Sequence, residues 1–155
     1  MKIRIIKPLH SHELSKEGYT GEIYYPFWIY VFSYRVKRKI FGDIKGMIVV
    51  MVDGINGKGY LADIVPDFEE INCDKKNSRI LKPCVKEDES LKIATEKAES
   101  FLFRKYAYLK FTYELKYQTF TYKLFWAKKE NNRRYILKDS ITGEEIEIVS
   151  INGER

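Results

Sequence analysis

The sequence predicts an α+β fold in which two related antiparallel β units of three to four strands share one long amphipathic helix. Aromatic and apolar residues alternate along several stretches, glycine-containing turns separate these stretches, and helical spacing appears only at about residues 88–106. The chain has 155 residues, of which 45% are hydrophobic and 15% aromatic. It can therefore bury a sizeable core as a single compact domain.

The first β unit is expected over residues 19–66. Residues 24–37 alternate aromatic and apolar side chains on both faces, which predicts a strand that is covered on both sides. Two further strands, near residues 47–52 and 59–65, are separated by a tight turn from Asp53 to Gly57. A short strand is expected before this unit at residues 2–7, and the polar stretch 67–87 is expected to be the connection after it.

The second sub-unit is expected over residues 88–151 and begins with the helix. Apolar residues recur at helical spacing, and Asp88 or Ser90 can cap the helix start. In the aromatic stretch that follows, apolar residues stand at odd positions and then, after Gln118-Thr119, at even positions. Such a change of face without turn residues predicts a β-bulge or a sharp bend. Two final strands, 134–138 and 144–151, flank a second tight turn.

The two halves share a turn pattern. The stretch Val49–Gly57 aligns without gaps with Tyr135–Gly143, and each reads strand, Asp, one residue, Ile, Asn or Thr, and Gly. Either shared ancestry or the general preference of tight turns for Asp and Gly accounts for this match.

Residues 88–150 also resemble a known family. Their order of helix, aromatic strand and final hairpin, with Asp139, Thr142 and Gly143 at the turn, resembles PepSY domains, in which a helix packs on a small antiparallel sheet. The resemblance covers the second half alone. It implies a binding or inhibitory module rather than a catalyst.

The aromatic strands suggest a function in protein interaction. One helix covers one face of a sheet, so the second face is expected to pack against the other half of the chain or against a second copy in a homodimer. The sequence favours a non-enzymatic protein-interaction module that binds through aromatic residues or a sheet edge. The candidate interaction residues are Tyr24, Tyr25, Trp28, Tyr30, Tyr34 and Trp126.

Basic residues at two turns indicate a second function class. The net charge is +6, and aromatic residues lie beside both basic clusters, a combination that suits nucleic acid or another polyanion. Lys and Arg at hairpin tips also keep a sheet soluble and block edge pairing, which is the simpler explanation. The candidate anion-binding residues are Arg35, Lys37, Arg38, Lys39, Lys128, Lys129, Arg133 and Arg134.

A metal- or thiol-dependent enzyme ranks last. His10, His12, Cys73 and Cys84 are of the types that bind zinc, but the two cysteines lie eleven positions apart instead of in a close pair. No metal site or other cofactor is therefore expected. Two sparse cysteines are typical of free thiols in a reducing compartment, and the apolar runs are too short for a spanning helix or a signal peptide. We therefore expect a cytoplasmic protein.

Overall fold

The computed structural model describes residues 1–9, 18–73 and 78–149. Within these ranges it holds one helix and nine strands, so the α+β class is confirmed in broad form, with much more sheet than helix. The strands are β1 (Lys2–Ile6), β2 (Gly21–Val36), β3 (Ile44–Asp53), β4 (Gly59–Ala62), β5 (Phe68–Asn72), β6 (Ser78–Ile80), β7 (Phe111–Lys129), β8 (Arg134–Asp139) and β9 (Glu145–Val149), and the helix is α1 (Glu87–Lys105). Residues 150 and 151 of the last predicted strand lie outside the described residues.

The nine described strands pair into one sheet. Its main order is β4-β3-β2-β7-β1-β5, while β6 pairs with β2 and β8 pairs with both β7 and β9. Among the pairings whose register is described, β1 with β7 and β2 with β6 are parallel and the others are antiparallel. The stretch 67–87, expected as a polar connection, thus contains the short strands β5 and β6.

The chain divides into two compact units, each assembled from separate segments of the sequence. Unit 1 comprises Met1–Tyr25, Pro66–Leu81 and Tyr122–Arg155, and unit 2 comprises Pro26–Val65 and Lys82–Thr121. Each long aromatic strand, β2 and β7, contributes residues to both units. Each half of the sequence therefore supplies parts of both units.

The core of unit 2 lies between α1 and the strands β2 and β3. The helix buries a stripe with a spacing of four residues, from Ser90 through Ala94 and Ala98 to Leu102, against apolar strand residues that include Tyr30 and Val50. On the other face of β2, Ile29 and Val31 are also buried. Strand β2 is thus buried on both faces, as its unbroken run of apolar residues predicts.

The predicted cap of α1 is wrong. Lys86 occupies the cap position without a side-chain hydrogen bond to the helix, while Ser90 Oγ donates to the Glu87 carbonyl (2.8 Å). Asp88 lies within the first turn, together with Glu87 and Glu89. Three carboxylates beside the positive end of the helix dipole stabilise this terminus in place of a cap.

Aromatic residues of β7 contact the helix-side core of unit 2 from both odd and even positions. Phe111, Tyr113 and Leu115 pack against the helix-side core of unit 2 from odd positions. Phe120 reaches the same core from an even position, since its ring centroid lies 4.7 Å from that of Trp28. The alternation therefore breaks between residues 115 and 120.

The core of unit 1 gathers side chains from both ends of the chain. Its buried members are Ile3, Ile5, Tyr19, Tyr24, Cys73, Leu124 and Trp126. Matching sequences begin within β1 and β6 and continue past their ends, Arg4-Ile-Ile-Lys-Pro8 and Arg79-Ile-Leu-Lys-Pro83. Ile5 lies opposite Tyr122 and the equivalent Ile80 lies opposite Tyr24, both in parallel pairings.

The two tight turns have the same hydrogen bonds. Asp53 Oδ1 accepts the N–H groups of residues 55 (2.8 Å) and 56 (3.0 Å), and Asp139 Oδ1 accepts those of residues 141 (2.8 Å) and 142 (3.2 Å). Gly57 and Gly143 then return an N–H to the carbonyl of their own Asp at 2.9 Å, with φ angles of 76° and 77°. Both Asp side chains are buried, so each turn is held by a carboxylate withdrawn from solvent.

The strands that precede these turns also match. A Phe-Trp pair stands on each long strand, and Phe27 lies opposite Asp53 just as Phe125 lies opposite Asp139. The residue after each Asp donates its N–H to the carbonyl of the residue before each Phe, from Gly54 to Pro26 (2.9 Å) and from Ser140 to Leu124 (3.2 Å). The shared turn pattern therefore extends to the neighbouring strand.

Candidate anion-binding site

The β2–β3 hairpin continues past its neighbouring strand β4. β2 and β3 pair from Phe27 opposite Asp53 to Val36 opposite Ile44, whereas β4 pairs with residues 49–52 of β3. Just beyond the end of β2, the N–H of Lys37 donates to the carbonyl of Lys110, which precedes β7 (2.9 Å). This far end of the hairpin, together with the chain from residue 103 to residue 116, is called the basic end of unit 2.

Two like charges lie directly opposite each other at the basic end. Arg35 of β2 and Lys45 of β3 are register partners in the antiparallel ladder, so their side chains share one face of the sheet. Such a pair is destabilising because the two cations repel each other. Asp43 offers Arg35 a distant partner, with 3.9 Å between Nη1 and Oδ2.

An open cavity of about 450 Å³ surrounds this pair. Its volume lies within the usual range of ligand pockets. Lys116 adds a third cation, paired with Glu114 at 3.1 Å, and Ser33 and Thr112 add hydroxyl groups. The lining residues are Ser33, Tyr34, Arg35, Lys45, Gly46, Thr112, Tyr113, Glu114 and Lys116.

Tyr34 borders the cavity through the strand, but its ring lies on the opposite face of the sheet from Arg35, against the helix-side core. Its ring lies against the backbone of Gly46, so closely that a Cβ at position 46 would collide with the ring and the hydroxyl. A hydrogen bond with Tyr106, aided by burial, raises the pKa of Tyr34 to about 12. Burial and the nearby Glu99 raise the pKa of Tyr113 as well. Both phenols therefore stay neutral at physiological pH.

The turn at the tip of the hairpin has an unusual backbone. Phe41 has a φ of 70° and Gly42 a φ of 74°. The left-handed conformation is strained for a bulky residue such as Phe and costs about 1–2 kcal/mol. Arg38 holds the turn in place, since its Nε donates to the Gly42 carbonyl (2.8 Å) and its Nη2 to the Phe41 carbonyl (3.1 Å). Arg38 thus positions the turn.

A second concavity, of about 430 Å³, lies next to the first and shares Thr112 with it. It is lined by Lys37, Phe103, Leu109, Lys110, Phe111 and Thr112. The rings of Phe103 and Phe111 meet edge to face with 5.0 Å between their centroids. This concavity therefore combines apolar side chains with two lysines.

Positive charge is concentrated in two segments. Residues 35–47 contain five basic side chains and one acidic one, and residues 103–116 contain four basic side chains and one acidic one. Their combined net charge of +7 exceeds the +6 of the whole chain, so the remainder is close to neutral. Lys37, Lys39, Lys45 and Lys110 have no carboxylate within 4.0 Å among the described residues.

The second basic cluster predicted from sequence lies at the β7–β8 turn of unit 1. There Lys128 faces Glu145 at 4.0 Å and lies 4.7 Å from the ring centroid of Tyr19, and Arg134 forms an ion pair with Glu147. Lys129 and Arg133 are exposed. Strand β9 therefore neutralises part of this cluster, in contrast to the basic end of unit 2.

The predicted interaction residues are used mainly within the chain. Tyr24, Tyr30 and Trp126 are buried, and Tyr25, Trp28 and Tyr34 are partly buried. Trp28 Nε1 donates to the carbonyl of Val85 (3.3 Å). These rings form cores, and the exposed aromatic surface consists of other residues, chiefly Phe41, Phe103 and Tyr108.

The candidate metal ligands are not brought together among the described residues. Cys73 is buried, Cys84 is exposed, and both are free thiols. His10 and His12 lie outside the described residues. Within residues 1–9, 18–73 and 78–149, no group of three or more His, Cys, Asp or Glu side chains could hold a metal ion.

The basic end of unit 2 brings together groups that can bind an anion. It offers cations, hydroxyl groups and exposed apolar side chains around two open concavities. In the part of the chain that the structure describes, no helix is long and apolar enough to cross a membrane. In comparisons with known proteins, no family model, no curated protein and no solved structure matches the chain. The proposal for its function is therefore based on this geometry.

Proposed function

We propose that the chain is a non-enzymatic binding module that holds a phosphate-bearing polyanion at the basic end of unit 2. The observation that carries this proposal is the cross-strand pair of Arg35 and Lys45. Two cations held opposite each other destabilise the free protein, and an anion bound between them would remove that cost. Such a pair fits an anion-binding surface better than a surface that only keeps the protein soluble.

The surroundings of the pair support the same proposal. Lys116 and the hydroxyl groups of Ser33 and Thr112 line the same cavity, and they are donors that phosphate oxygens accept. The cavity is open to solvent, and Thr112 lines both it and the second concavity. An extended anion is therefore a better fit than a small ligand enclosed on all sides.

Self-association through the aromatic strands is the weaker alternative. The argument for self-association is that both faces of β2 must be covered. Ile29, Tyr30 and Val31 are already buried within one chain, so a second copy is not needed to cover them. A homodimer, a cytoplasmic location and the PepSY-like arrangement of residues 88–150 stay predictions. Light scattering after size-exclusion chromatography tests the first of these directly.

We also infer that the two halves are copies of one ancestral unit. The support is the matching Arg-Ile-x-Lys-Pro sequences of β1 and β6, the matching Phe-Trp pairs, and the two Asp turns with the same hydrogen bonds. Three matches in the same order along the chain are less easily explained by turn chemistry than one. We therefore propose that the two halves arose by duplication and that one of the two resulting hairpins carries the binding site.

Retention on heparin, followed by binding to a fluorescent polyanion over a salt series, tests the proposed function. The double variant Arg35→Glu/Lys45→Glu is expected to bind about tenfold more weakly or worse. Its salt dependence should also be smaller, because a protein with fewer cations at the site releases fewer counterions from the polyanion. The matched control is Lys129→Glu/Arg133→Glu in unit 1, which changes the net charge equally. If both double variants lose the same affinity, binding follows net charge alone and the proposed site is wrong.

A further inference from the structure

We propose that the polyanion is the surface of an anionic lipid bilayer, into which Ile40 and Phe41 insert while the surrounding basic side chains bind headgroups. The proposal rests on the proposed function, because it names the partner of the same basic end. It adds a role for apolar side chains that anion binding alone does not explain.

The tip of the β2–β3 hairpin exposes apolar side chains where a turn normally exposes polar ones. Ile40 is 68% exposed and Phe41 87% exposed, directly after Lys37, Arg38 and Lys39. In the neighbouring loop before β7, Tyr108 is 100% exposed. Large apolar groups that rise from a basic surface are typical of segments that lie at a membrane interface.

The backbone of the tip is organised to present these side chains. Phe41 adopts a left-handed φ of 70°, which bulky residues avoid, and Arg38 donates two hydrogen bonds that hold the turn there. Ile40 and Phe41 point away from the core as a result, since most of each side chain is in contact with solvent. A turn already fixed in this form loses little conformational entropy when it inserts.

The charges around the tip complement an anionic surface. The basic end holds Lys37, Lys39, Lys45 and Lys110 without a carboxylate partner within 4.0 Å among the described residues. Basic residues next to a membrane are attracted by acidic headgroups, and their long apolar stems lie along the interface while the ammonium groups reach the phosphates. Apolar insertion and headgroup binding can thus occur together.

A lipid surface fits these side chains better than single-stranded nucleic acid. Nucleic-acid bases stack on aromatic faces, which would use Phe41 and Tyr108 but leave the aliphatic Ile40 and Leu109 exposed in the complex. A bilayer interface accepts aliphatic and aromatic side chains alike. The mixture of both kinds at the basic end therefore favours lipid.

Co-sedimentation with phosphatidylcholine vesicles, with and without phosphatidylserine, tests the inference on the full chain. The protein is expected to sediment with the vesicles that contain phosphatidylserine. The variant Ile40→Ser/Phe41→Ser should partition about tenfold more weakly, because it loses the inserted apolar area. Its retention on heparin should stay within about twofold, since its cations are intact. The control Leu9→Ser removes a similarly exposed apolar side chain that belongs to unit 1, not to the basic end, and should partition like the parent.

The outcomes separate the two proposals. If the chain binds heparin through Arg35 and Lys45 but ignores the acidic vesicles, the lipid inference is wrong and the proposed function stands. Weaker binding of single-stranded DNA by the tip variant, with no vesicle binding by the parent, would assign the tip to nucleic acid instead. Far-ultraviolet circular dichroism and thermal unfolding confirm that each variant is folded, and because both replaced side chains are exposed, the fold should be retained.

Discussion

The two Asp turns are alike in detail, whereas the opposite ends of their hairpins are not. Asp53 and Asp139 each accept two backbone N–H groups at the turn. At the far end of the first hairpin, β2 and β3 continue beyond β4 and carry unneutralised cations. At the far end of the second hairpin, β9 runs beside β8 up to Arg134 and places glutamates next to the basic residues.

The length of the outer strand accounts for this difference. β4 has four residues and pairs only with Val49–Val52 of β3. It ends before it reaches Lys45, so it brings no carboxylate to Arg35 or Lys45. β9 pairs with residues 134–138 of β8. Its residues Glu145 and Glu147 are two positions apart, so both side chains lie on the same face of the sheet. The same scaffold therefore has a turn end that provides stability and a far end whose charge depends on the outer strand. The proposed binding site lies at the hairpin whose outer strand is short.

The largest expected effect tests the shared part of the two hairpins. Asp53→Ala and Asp139→Ala should each lower the free energy of unfolding by about 2–3 kcal/mol, because two backbone N–H groups lose a charged acceptor. Chemical denaturation measures both, with Asp63→Ala, an exposed carboxylate of unit 2, as the control expected within about 0.5 kcal/mol of the parent. If only one of the two Asp variants lowers the free energy of unfolding, the two turns do not stabilise the protein in the same way.

The partner of Asp139 sharpens the same test. Lys123 Nζ lies 2.5 Å from Asp139 Oδ2, and both side chains are largely shielded from water. Breaking such a pair leaves an ammonium group with its desolvation uncompensated. In a Lys123→Met background, Asp139→Ala should therefore cost about 1 kcal/mol less than in the parent, and an unchanged cost would mean that the turn bonds carry the whole effect.

A smaller effect is expected from unmasking the second basic cluster. The variant Glu145→Gln/Glu147→Gln keeps a side-chain acceptor for Tyr19 but removes the two charges that face Lys128 and Arg134. Introduced into the Arg35→Glu/Lys45→Glu chain, it should restore heparin affinity by about threefold to tenfold, by electrostatic attraction alone.

The control for this experiment changes the net charge by the same amount elsewhere. Glu69→Gln/Glu70→Gln lies on β5, and both side chains are exposed. Equal recovery in the two chains would show that the position of the glutamates is irrelevant, and the contrast between the two hairpin ends would then have no functional meaning.

Local periodicity accounts for the parts of the fold that sequence could predict. Strand β2, helix α1 and the change of face in β7 each rest on a dozen or more residues with a clear pattern. β5 and β6 have five and three residues without such a pattern, and pairing with β1 and β2 stabilises them. Their partners lie far away in the sequence. The repeat of Arg4–Pro8 at Arg79–Pro83 is the one signal for β6 that the sequence carries.

The basic end shows the same limit. Arg35, Lys37, Arg38 and Lys39 are consecutive enough to be noticed in the sequence. The role of Lys45 could not be predicted from the sequence, because only the pairing of β2 with β3 places it opposite Arg35. The sequence alone also made the cluster near Lys128 look equivalent, because the glutamates that neutralise it come from the next strand but one. The clearest unused signal was Ile40-Phe41, an apolar pair within a polar turn.

The smallest expected effect concerns Tyr34 at the cavity wall. Its folded-state pKa of about 12 lies above the value of about 10 that an unfolded chain has, so between these values the unfolded state loses its proton first. Stability is therefore complete below pH 10 and falls as the pH rises toward 12. Tyr34→Phe should lower stability at neutral pH, by loss of the bond to Tyr106, but make the alkaline decline shallower. Urea unfolding at pH 8 and at several values between 10 and 12 measures both changes. The buried Tyr24 also has a raised pKa, so Tyr24→Phe shows how much of the decline arises in unit 1. An alkaline slope unchanged in Tyr34→Phe would contradict the raised pKa of Tyr34 in the folded chain.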